Sequence, residues 1–399
     1  EVSKMTEESK SDQSGKSFNS FSFTKSLGLA GYESIEPVLL AALATEQPLL
    51  LLGNHGTGKS LLLQRIAEAL GFEWRHYNAS LLNFDDLVGY PLPDANGNLK
   101  FIETPASIWG AQAVLFDELS RARVDIQNRL FPIIHERKVQ GIALHNLVHR
   151  WAAINPPDLG DSVHPVYGGV HALDIALADR FAFHVEVPDW NNCTASQRLE
   201  FLQVGAQGVS AGAAEQLQNL VARTKDLLPL VRKAIVPVVT SYVSELCDLL
   251  AKSGYAISAR RGVVLVENLL AVQAATVVLD TGELENSQRS AKDIWIEASA
   301  IRTVRSSLPF KASGIDFVLG KVYASHREAW DKAHAGIEEG FYSLSRIEDQ
   351  VVRIKKAFEL DGLQPEDLIT VVLDSIAEAR PGVKYALCHW ICESGKLNV

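Results

Sequence analysis

The sequence has few of the features that mark secreted or membrane-spanning proteins. It contains four cysteines among 399 residues, which is too few for the disulfide framework of a small secreted domain. No apolar run reaches the roughly 18 residues that a membrane-spanning helix requires. The first residues are polar and serine-rich, unlike a secretion signal. We therefore expect a cytoplasmic protein with no membrane span.

Positive charge is also scarce. Acidic residues outnumber basic ones by 48 to 38, so the formal net charge is −10. Such a chain has no general attraction for nucleic-acid phosphates, although a local basic channel would still permit binding. Hydrophobic residues make up 47% of the chain, enough for two or three folded domains of roughly 100–200 residues each. The composition therefore favours a folded protein and does not favour a nucleic-acid partner.

One stretch, residues 53–60 (GNHGTGKS), has the spacing of a phosphate-binding loop, G-x-x-x-x-G-K-[ST]. It joins a predicted strand, Pro48–Leu52, to a predicted helix over residues 61–70. Glycines let backbone N–H groups approach a polyphosphate, and the N-terminus of the helix adds positive potential. The sequence therefore predicts a nucleoside triphosphate site. The predicted contact residues are Gly53, Asn54, His55, Gly56, Thr57, Gly58, Lys59, Ser60 and Leu61.

The chemistry of such a loop assigns further roles. We expect Lys59 to reach the β- and γ-phosphates and the Ser60 hydroxyl to ligate Mg²⁺. A second apolar run, residues 111–116, ends in Asp117 and Glu118. A buried strand that delivers two carboxylates is the expected partner of the loop. Asp117 would hold the Mg²⁺ shell, and Glu118 would polarise the attacking water.

Four later residues carry possible functions. Asn155 ends a short predicted strand, where it could hold the attacking water or be an ordinary turn residue before Pro156. Arg180 lies in Asp-Arg-Phe just before the last predicted strand, residues 182–187. Arg260 and Arg261 open a predicted helix, where cations oppose the helix dipole. They indicate either an anionic ligand or a solvated surface.

The chain divides by composition into four parts: a disordered tail (1–25), an α/β domain (26–188), a helical region (189–313) and a helical C-terminal extension (314–399). The helical region has apolar periodicity near 3.6 residues. Its predicted helices are 196–204, 211–227, 234–252 and 258–278. Turn residues predict two small hairpins within the α/β domain, at about 86–104 and 138–149.

The order of these motifs resembles the AAA+ ATPases, and within them the MoxR-like branch, over about residues 28–310. Residues 115–122 (LFDELSRA) look like L-x-D-E-[IL]-N-R-A, residues 176–181 (ALADRF) like A-x-x-D-R-F, and residues 257–260 (ISAR) like A-S-P-R. Two positions depart from the branch: His55 replaces a proline in the loop, and Ser120 replaces the asparagine. His55 stands where the side chain points outward, so nucleotide binding is little affected.

The resemblance implies a fold and further roles. It implies an α/β AAA+ module with a five-stranded parallel sheet of order 5-1-4-3-2, followed by an all-helical lid. Asn155 becomes the sensor-1 residue, and Arg180 the arginine finger that acts on the ATP of a neighbouring subunit. Arg260 becomes the sensor-2 arginine, although Arg261 beside it leaves that choice open. Arg121 matches an arginine near the subunit interface, and both hairpins match elements that face a central pore.

The implied function is that of an ATP- and Mg²⁺-dependent, homo-hexameric ring that remodels or activates a partner protein. MoxR-like ATPases often act on a partner with a von Willebrand A domain. Two other functions stay open: a nucleic-acid motor of the McrB or helicase type, and a scaffold ring that binds nucleotide but scarcely hydrolyses it. The net charge argues against the first, and the intact Glu118, Asn155 and Arg180 argue against the second.

Overall fold

A computed structural model describes residues 22–97, 99–155, 172–280, 295, 297–315, 318–338, 350–359, 365–379, 383–384, 387–389 and 391. Most of the predicted tail, residues 1–21, lies outside this part of the chain. The strands are β1 (Leu49–Leu52), β2 (Trp74–Asn78), β3 (Tyr90–Pro93), β4 (Leu99–Ile102), β5 (Ala113–Asp117), β6 (Lys138–Val139), β7 (Ile142–Ala143), β8 (His149–Ile154) and β9 (Phe183–Glu186).

Helices make up most of the remaining described chain. They are α1 (Phe23–Ser26), α2 (Glu36–Thr45), α3 (Lys59–Leu70), α4 (Phe84–Val88), α5 (Val124–Glu136), α6 (Ile175–Ala178), α7 (Ala195–Gln207), α8 (Ala213–Lys252), α9 (Ala259–Asp280), α10 (Glu297–Arg305), α11 (Leu319–Glu338), α12 (Gln350–Glu359) and α13 (Pro365–Glu378). Short 3₁₀ turns cover Glu33–Ile35, Leu119–Arg121 and Trp190–Asn192.

Five parallel strands form the central sheet in the order β2-β5-β8-β1-β9. Counted as core strands one to five, this is the predicted order 5-1-4-3-2, which is confirmed. The two predicted hairpins are also present, as the antiparallel pairs β3–β4 and β6–β7. In a parallel sheet all carboxyl ends lie at one edge, so the residues that follow β1, β5 and β8 meet there.

Strands β1 and β5 are buried on both faces, which explains why they read as apolar runs in the sequence. Leu49 and Leu51 of β1 belong to the core shared with α2, α3, α8 and α9, whereas Leu50 and Leu52 face the core shared with α5 and α6. This alternation follows from the two-residue period of a strand. The phosphate loop therefore leaves a strand that is fixed from both sides.

The helical region corrects one sequence prediction. Residues 211–227 and 234–252 are not two helices but parts of one 40-residue helix, α8, which contains Pro229 and Pro237. A proline removes one backbone hydrogen bond and usually breaks or kinks a helix. Here the buried stripe continues past both prolines through Leu227, Val231, Ile235 and Val239. Packing of that stripe outweighs the local cost.

Helices α8 and α9 are both long and apolar enough to cross a membrane by length and composition alone. Buried core helices meet the same test. In this structure the two helices pack against each other and against α2, and α8 also packs against α11. Their apolar faces therefore form the core of the lid.

The N-terminal boundary also differs from the prediction. The predicted tail reaches residue 25, yet Phe23 in α1 is fully buried. Glu36, also buried, accepts hydrogen bonds from the Ser22 hydroxyl at 2.6 Å and from Thr24, at 2.8 Å from its backbone N–H and 2.6 Å from its hydroxyl. These bonds meet the requirement of a buried carboxylate. Residues 22–25 of the predicted tail are therefore part of the folded domain.

The C-terminal region contains two different packings. Val322, Ala329 and Ala333 of α11 belong to the same core as the lid helices. Residues of α12, α13 and the described positions after them form a separate small core around Ile354 and Val372. The shared core therefore extends the lid as far as α11, beyond the predicted boundary at 313.

Candidate functional site

The loop between β1 and α3 has the backbone that its glycines predict. Gly56 and Gly58 have φ angles of +79° and +78°, in the left-handed region that side chains disfavour. A Cβ atom on Gly58 would also lie 2.5 Å from the Tyr32 hydroxyl oxygen. That hydroxyl donates to the carbonyl of Thr57 at 2.6 Å. Tyr32 thus fixes the loop from outside the motif.

Lys59 lies at the centre of the site and is only 8% exposed. Its ammonium donates to the carbonyls of Gly53 at 2.8 Å and Asn54 at 2.9 Å, and to Oδ1 of Asn155 at 3.2 Å. Burial lowers the pKa of Lys59, and the charges of Asp117 and Glu118 oppose that shift. A buried cation held by neutral oxygens is stabilised further by an anionic ligand.

Ser60 and Asp117 meet across the sheet edge, with the Ser60 hydroxyl donating to Oδ2 of Asp117 at 2.5 Å. Nε2 of His76, on the neighbouring strand β2, lies 3.3 Å from the same oxygen. Burial alone would raise the pKa of Asp117, but hydrogen bonds from His76, Ser60 and the Glu118 backbone hold the pKa below its ordinary value. The site therefore presents an ionised carboxylate beside a hydroxyl, which is an oxygen set that Mg²⁺ accepts.

Glu118 adopts a left-handed backbone, with φ +55°. Its Oε2 lies 3.2 Å from Nε of Arg121. The pair is close enough to be ionic, but neither buried atom makes a hydrogen bond to any described residue. A buried carboxylate oxygen without a hydrogen bond is suited to accept one from a ligand or a water.

The remaining loop residues have separate surroundings. Asn54 donates through its side-chain amide to Asp189, at the start of the helical region. The Thr57 hydroxyl donates to the Asn54 carbonyl at 2.8 Å. His55 is exposed, as expected for its position, and Leu61 is 42% exposed in the first turn of α3. The loop is thus held to the lid side through Asn54.

Arg180 lies away from the phosphate loop. The backbone N–H groups of Ala182 and Phe183 both donate to the Pro48 carbonyl, so Arg180 precedes β9 at the amino edge of the sheet. The chain from Pro48 to Gly53, at roughly 3.3 Å per residue, puts about 16 Å between the two edges. The Arg180 guanidinium carbon lies 4.5 Å from the ring centre of Phe131 on α5.

Arg260 is also at this second edge. It donates to the Asp179 carbonyl at 2.8 Å and lies 3.7 Å from the Asp179 carboxylate. The structure therefore brings Lys59, Ser60, Asp117 and Asn155 together, and places Arg180 and Arg260 near each other elsewhere. The sensor-2 role of Arg260 stays a prediction, as does the interface role of Arg121.

Arg261 has a different environment from its neighbour. It is 2% exposed, and each of its five N–H donors serves one of five hydrogen bonds, to Asp179 (two), Phe181, Ala182 and Ser307. A guanidinium has five donors in all. Arg261 therefore has no N–H donor left for a phosphate. Arg260 lies at the second edge of the sheet as well, so its sensor-2 role remains a prediction.

Sequence reasoning missed His76 and Tyr32. Both act through contacts between residues distant in the chain, His76 with Asp117 and Tyr32 with Thr57. The predicted sheet order contained one usable signal, because it places β2 beside β5 and so brings His76 towards Asp117. For Tyr32 the sequence offered no comparable signal.

A family model agrees with this geometry. Residues 48–181 match the family of AAA domains described as the dynein-related subfamily. The structure of a candidate ATPase from Cytophaga hutchinsonii ATCC 33406 matches with 17% sequence identity, over 78% of this chain and 92% of that one, at a TM-score of 0.47. A search of curated proteins gave no match. With its five-stranded sheet and its phosphate-binding loop, the chain carries an AAA domain over residues 48–181.

Proposed function

We propose that this protein is an ATP-hydrolysing AAA+ ring motor of the MoxR type that remodels or activates a partner protein. The observation that carries the proposal is the meeting of Lys59, Asn155, Ser60 and Asp117 at one sheet edge. Glu118 directly follows the strand that delivers Asp117. Each of these residues matches a role in nucleotide hydrolysis.

The described residues fit ATP and Mg²⁺. Backbone N–H groups of the loop and the N-terminus of α3 would face the phosphates, with Lys59 supplying the positive charge. Ser60 and Asp117 would hold Mg²⁺, which when bound neutralises charge on the phosphate oxygens. The hydrogen bonds that Lys59 donates go to neutral oxygens, and a polyphosphate would provide an anion in direct contact with its ammonium.

Hydrolysis requires a water that is held and polarised beside the γ-phosphate. Glu118 supplies a buried carboxylate oxygen that makes no hydrogen bond to the described residues. Asn155 is 3% exposed at the tip of β8, the strand between β1 and β5. We assign Glu118 the polarisation of the water and Asn155 its orientation.

The position of Arg180 supports a ring. About 16 Å separate its edge of the sheet from its own phosphate loop, more than an arginine side chain spans. Arg180 is only partly buried, so an anion from outside the chain can reach its guanidinium. We therefore assign Arg180 to the nucleotide of a neighbouring subunit in a homo-hexamer.

On this proposal the substrate is a protein in the cytoplasm. In its most specific version, the proposal names a partner that carries a von Willebrand A domain. The support is the MoxR-like sequence of residues 115–122 and 176–181. The β3–β4 hairpin adds an exposed apolar surface formed by Tyr90, Leu92 and Ile102. Such a surface can contact a polypeptide at a pore.

A mixing experiment tests the ring ATPase. Lys59→Ala subunits have an intact finger but a defective loop, and Arg180→Ala subunits have the reverse. Each variant alone should be nearly inactive, since a finger contributes roughly 10³–10⁵ in rate in other nucleotide hydrolases. Mixed together they should regain ATP hydrolysis. An Arg180→Ala variant that hydrolyses ATP like the wild type, as a monomer, would contradict the proposal.

Capture of the partner tests the second part of the proposal, that the ring acts on another protein. Glu118→Gln should bind ATP and hold its partner, because only the carboxylate that polarises water is lost. Lys59→Ala is the matched control, since it should bind no nucleotide. A protein recovered with the first variant and not the second supports remodelling. Recovery of nucleic acid instead, with salt-sensitive DNA binding, would replace the protein partner.

A further inference from the structure

The helical lid is hydrogen-bonded to the segment that carries the proposed arginine finger. Nε of Arg261 on α9 donates to the Asp179 carboxylate at 2.8 Å, and its Nη2 donates to the Asp179 carbonyl at 2.6 Å. Arg260 donates to the same carbonyl. Two consecutive lid arginines therefore bind the residue that immediately precedes Arg180.

The lid also makes hydrogen bonds to the residues that follow Arg180. Arg261 donates to the carbonyl of Phe181 at 3.0 Å and to that of Ala182 at 3.4 Å. Asn268, about two turns further along the same face of α9, donates to the Ala182 carbonyl at 2.8 Å. We call this set of contacts, from Arg261 and Asn268 to residues 179, 181 and 182, the Arg261 clamp.

The clamp is specific and costly to break. Burying a guanidinium is unfavourable unless it is paired and fully hydrogen-bonded. Arg261 meets that requirement with one carboxylate and four backbone carbonyls, the fourth being that of Ser307 at 3.1 Å. Backbone carbonyls accept from any donor in reach, but only a planar fork with five donors can bind all of them together.

Arg180 itself is held only loosely by comparison. Its guanidinium lies over the ring of Phe131, and its Nε makes no hydrogen bond within the described chain. The direction of the finger is therefore set mainly by its backbone. That backbone is fixed by α9 rather than by the sheet alone.

We propose that Arg261 is a positioning residue for Arg180, so that the lid of one subunit sets the place of the finger in the active site of the next. The inference rests on the proposed ring ATPase and deepens it. A lid that shifts with its own nucleotide would move the finger, which couples neighbouring sites. Arg261 touches no nucleotide in this scheme.

The competing interpretation is that Arg261 supports only its own subunit, by stabilising the lid or by reporting its own nucleotide. The two interpretations differ in which partner variant can restore activity. A subunit with a displaced finger keeps its own phosphate loop. It can therefore be rescued by a subunit that supplies a good finger, but not by one that lacks a finger.

Arg261→Lys is the test variant, because lysine keeps the positive charge but lacks the planar guanidinium with its five N–H donors. A misplacement of about 1 Å can cost roughly 10²-fold in rate, so kcat should fall by about that factor while KM for ATP stays unchanged. Mixed with Lys59→Ala, the variant should regain activity. Mixed with Arg180→Ala, it should regain none. Recovery with Arg180→Ala, or with neither variant, would overturn the clamp.

Three further measurements separate a failure of the clamp from misfolding and from a failure of the ring ATPase. Arg232→Gln removes another lid arginine, which pairs with Glu267 between α8 and α9, and should leave activity unchanged. Asn268→Leu weakens the clamp without removing a charge, and should show the same mixing pattern if Arg261→Lys does not fold. The Arg180→Ala with Lys59→Ala mixture is the reference. If that mixture stays inactive, the ring ATPase has failed; if only the Arg261→Lys mixtures deviate, the clamp alone has failed.

Discussion

Lys59 donates a hydrogen bond to Asn155 at 3.2 Å, which joins the phosphate loop to the tip of the neighbouring strand β8. The sequence places these residues 96 positions apart. Their contact exists because β8 pairs with β1 in parallel register, Leu52 opposite Ile154. The cation that would bind phosphate and the amide that would hold water are thus one connected unit.

This contact predicts the behaviour of Asn155 variants. Asn155→Ala should lower kcat by roughly 10²–10³, as the loss of one preorganised polar group does in other enzymes. Nucleotide binding should fall much less than in Lys59→Ala, because the phosphate loop keeps its cation. Fluorescent nucleotide titration and steady-state kinetics separate the two effects. Asn155→Ala with the wild-type kcat would make Asn155 an ordinary turn residue.

Gly58 should be irreplaceable for two separable reasons. Its φ of +78° costs a side chain roughly 1–2 kcal/mol. Its added Cβ would also collide with the Tyr32 hydroxyl. Gly58→Ala should therefore destabilise the protein more than Gly56→Ala, whose Cβ would meet no atom within 4 Å. Urea unfolding of both variants gives the comparison.

Tyr32→Phe completes that test. It removes the hydroxyl that a Cβ on Gly58 would strike, at the cost of the hydrogen bond to Thr57. Gly58→Ala with Tyr32→Phe should be less destabilised than the sum of the single variants, because neighbouring changes couple. Strict additivity, with Gly58→Ala equal to Gly56→Ala, would show that no collision occurs.

His149 should make the fold sensitive to acid. Burial lowers its pKa to about 4, and nearby Arg150 acts in the same direction while Glu46 opposes the shift. Because the unfolded histidine has a pKa near 6.5, the unfolded chain takes up this proton first as pH falls. The free energy of unfolding should therefore decrease between about pH 6.5 and 4, by about 3 kcal/mol from this residue.

His149→Phe should reduce that decrease, since phenylalanine keeps the packing against Phe72 and Trp151 without a proton site. It should not abolish it, because burial also lowers the pKa of His184, to about 3. Urea unfolding at pH 7 and pH 5 measures the effect, with the exposed His145→Gln as control. An equal pH difference in His149→Phe and wild type would rule out this role.

The sequence was most informative where function depends on local order. The loop, its flanking strand and helix, and the strand ending in Asp117 all follow from spacing and apolar runs, and the structure has them within two residues of the predicted limits. The sheet order came from resemblance rather than from the residues. The helix predicted from residue 258 is also present, and the Ser258 hydroxyl at its start accepts a hydrogen bond from the Arg261 backbone N–H at 3.1 Å.

What the sequence could not show depends on contacts between distant residues. The Arg261 clamp needs α9 to lie against the segment before β9, 82 positions away along the chain. Local dipole reasoning left Arg261 as either a ligand arginine or a surface one, whereas it is buried and satisfied by carbonyls. The unbroken α8 likewise depends on a packed stripe that outweighs two prolines.

The last prediction concerns the β3–β4 hairpin, whose role decides whether the ring acts on protein. Tyr90 and Leu92 are 57% and 49% exposed on one side of this two-stranded sheet. Exposed apolar groups cost solubility and persist where they contact a partner. Replacing both by serine should abolish stimulation of ATP hydrolysis by the captured partner. Leu81→Ser is the matched control, because Leu81 is 76% exposed but lies outside the hairpin. Partner stimulation that survives the double change, or that Leu81→Ser removes equally, would exclude the hairpin as the contact surface.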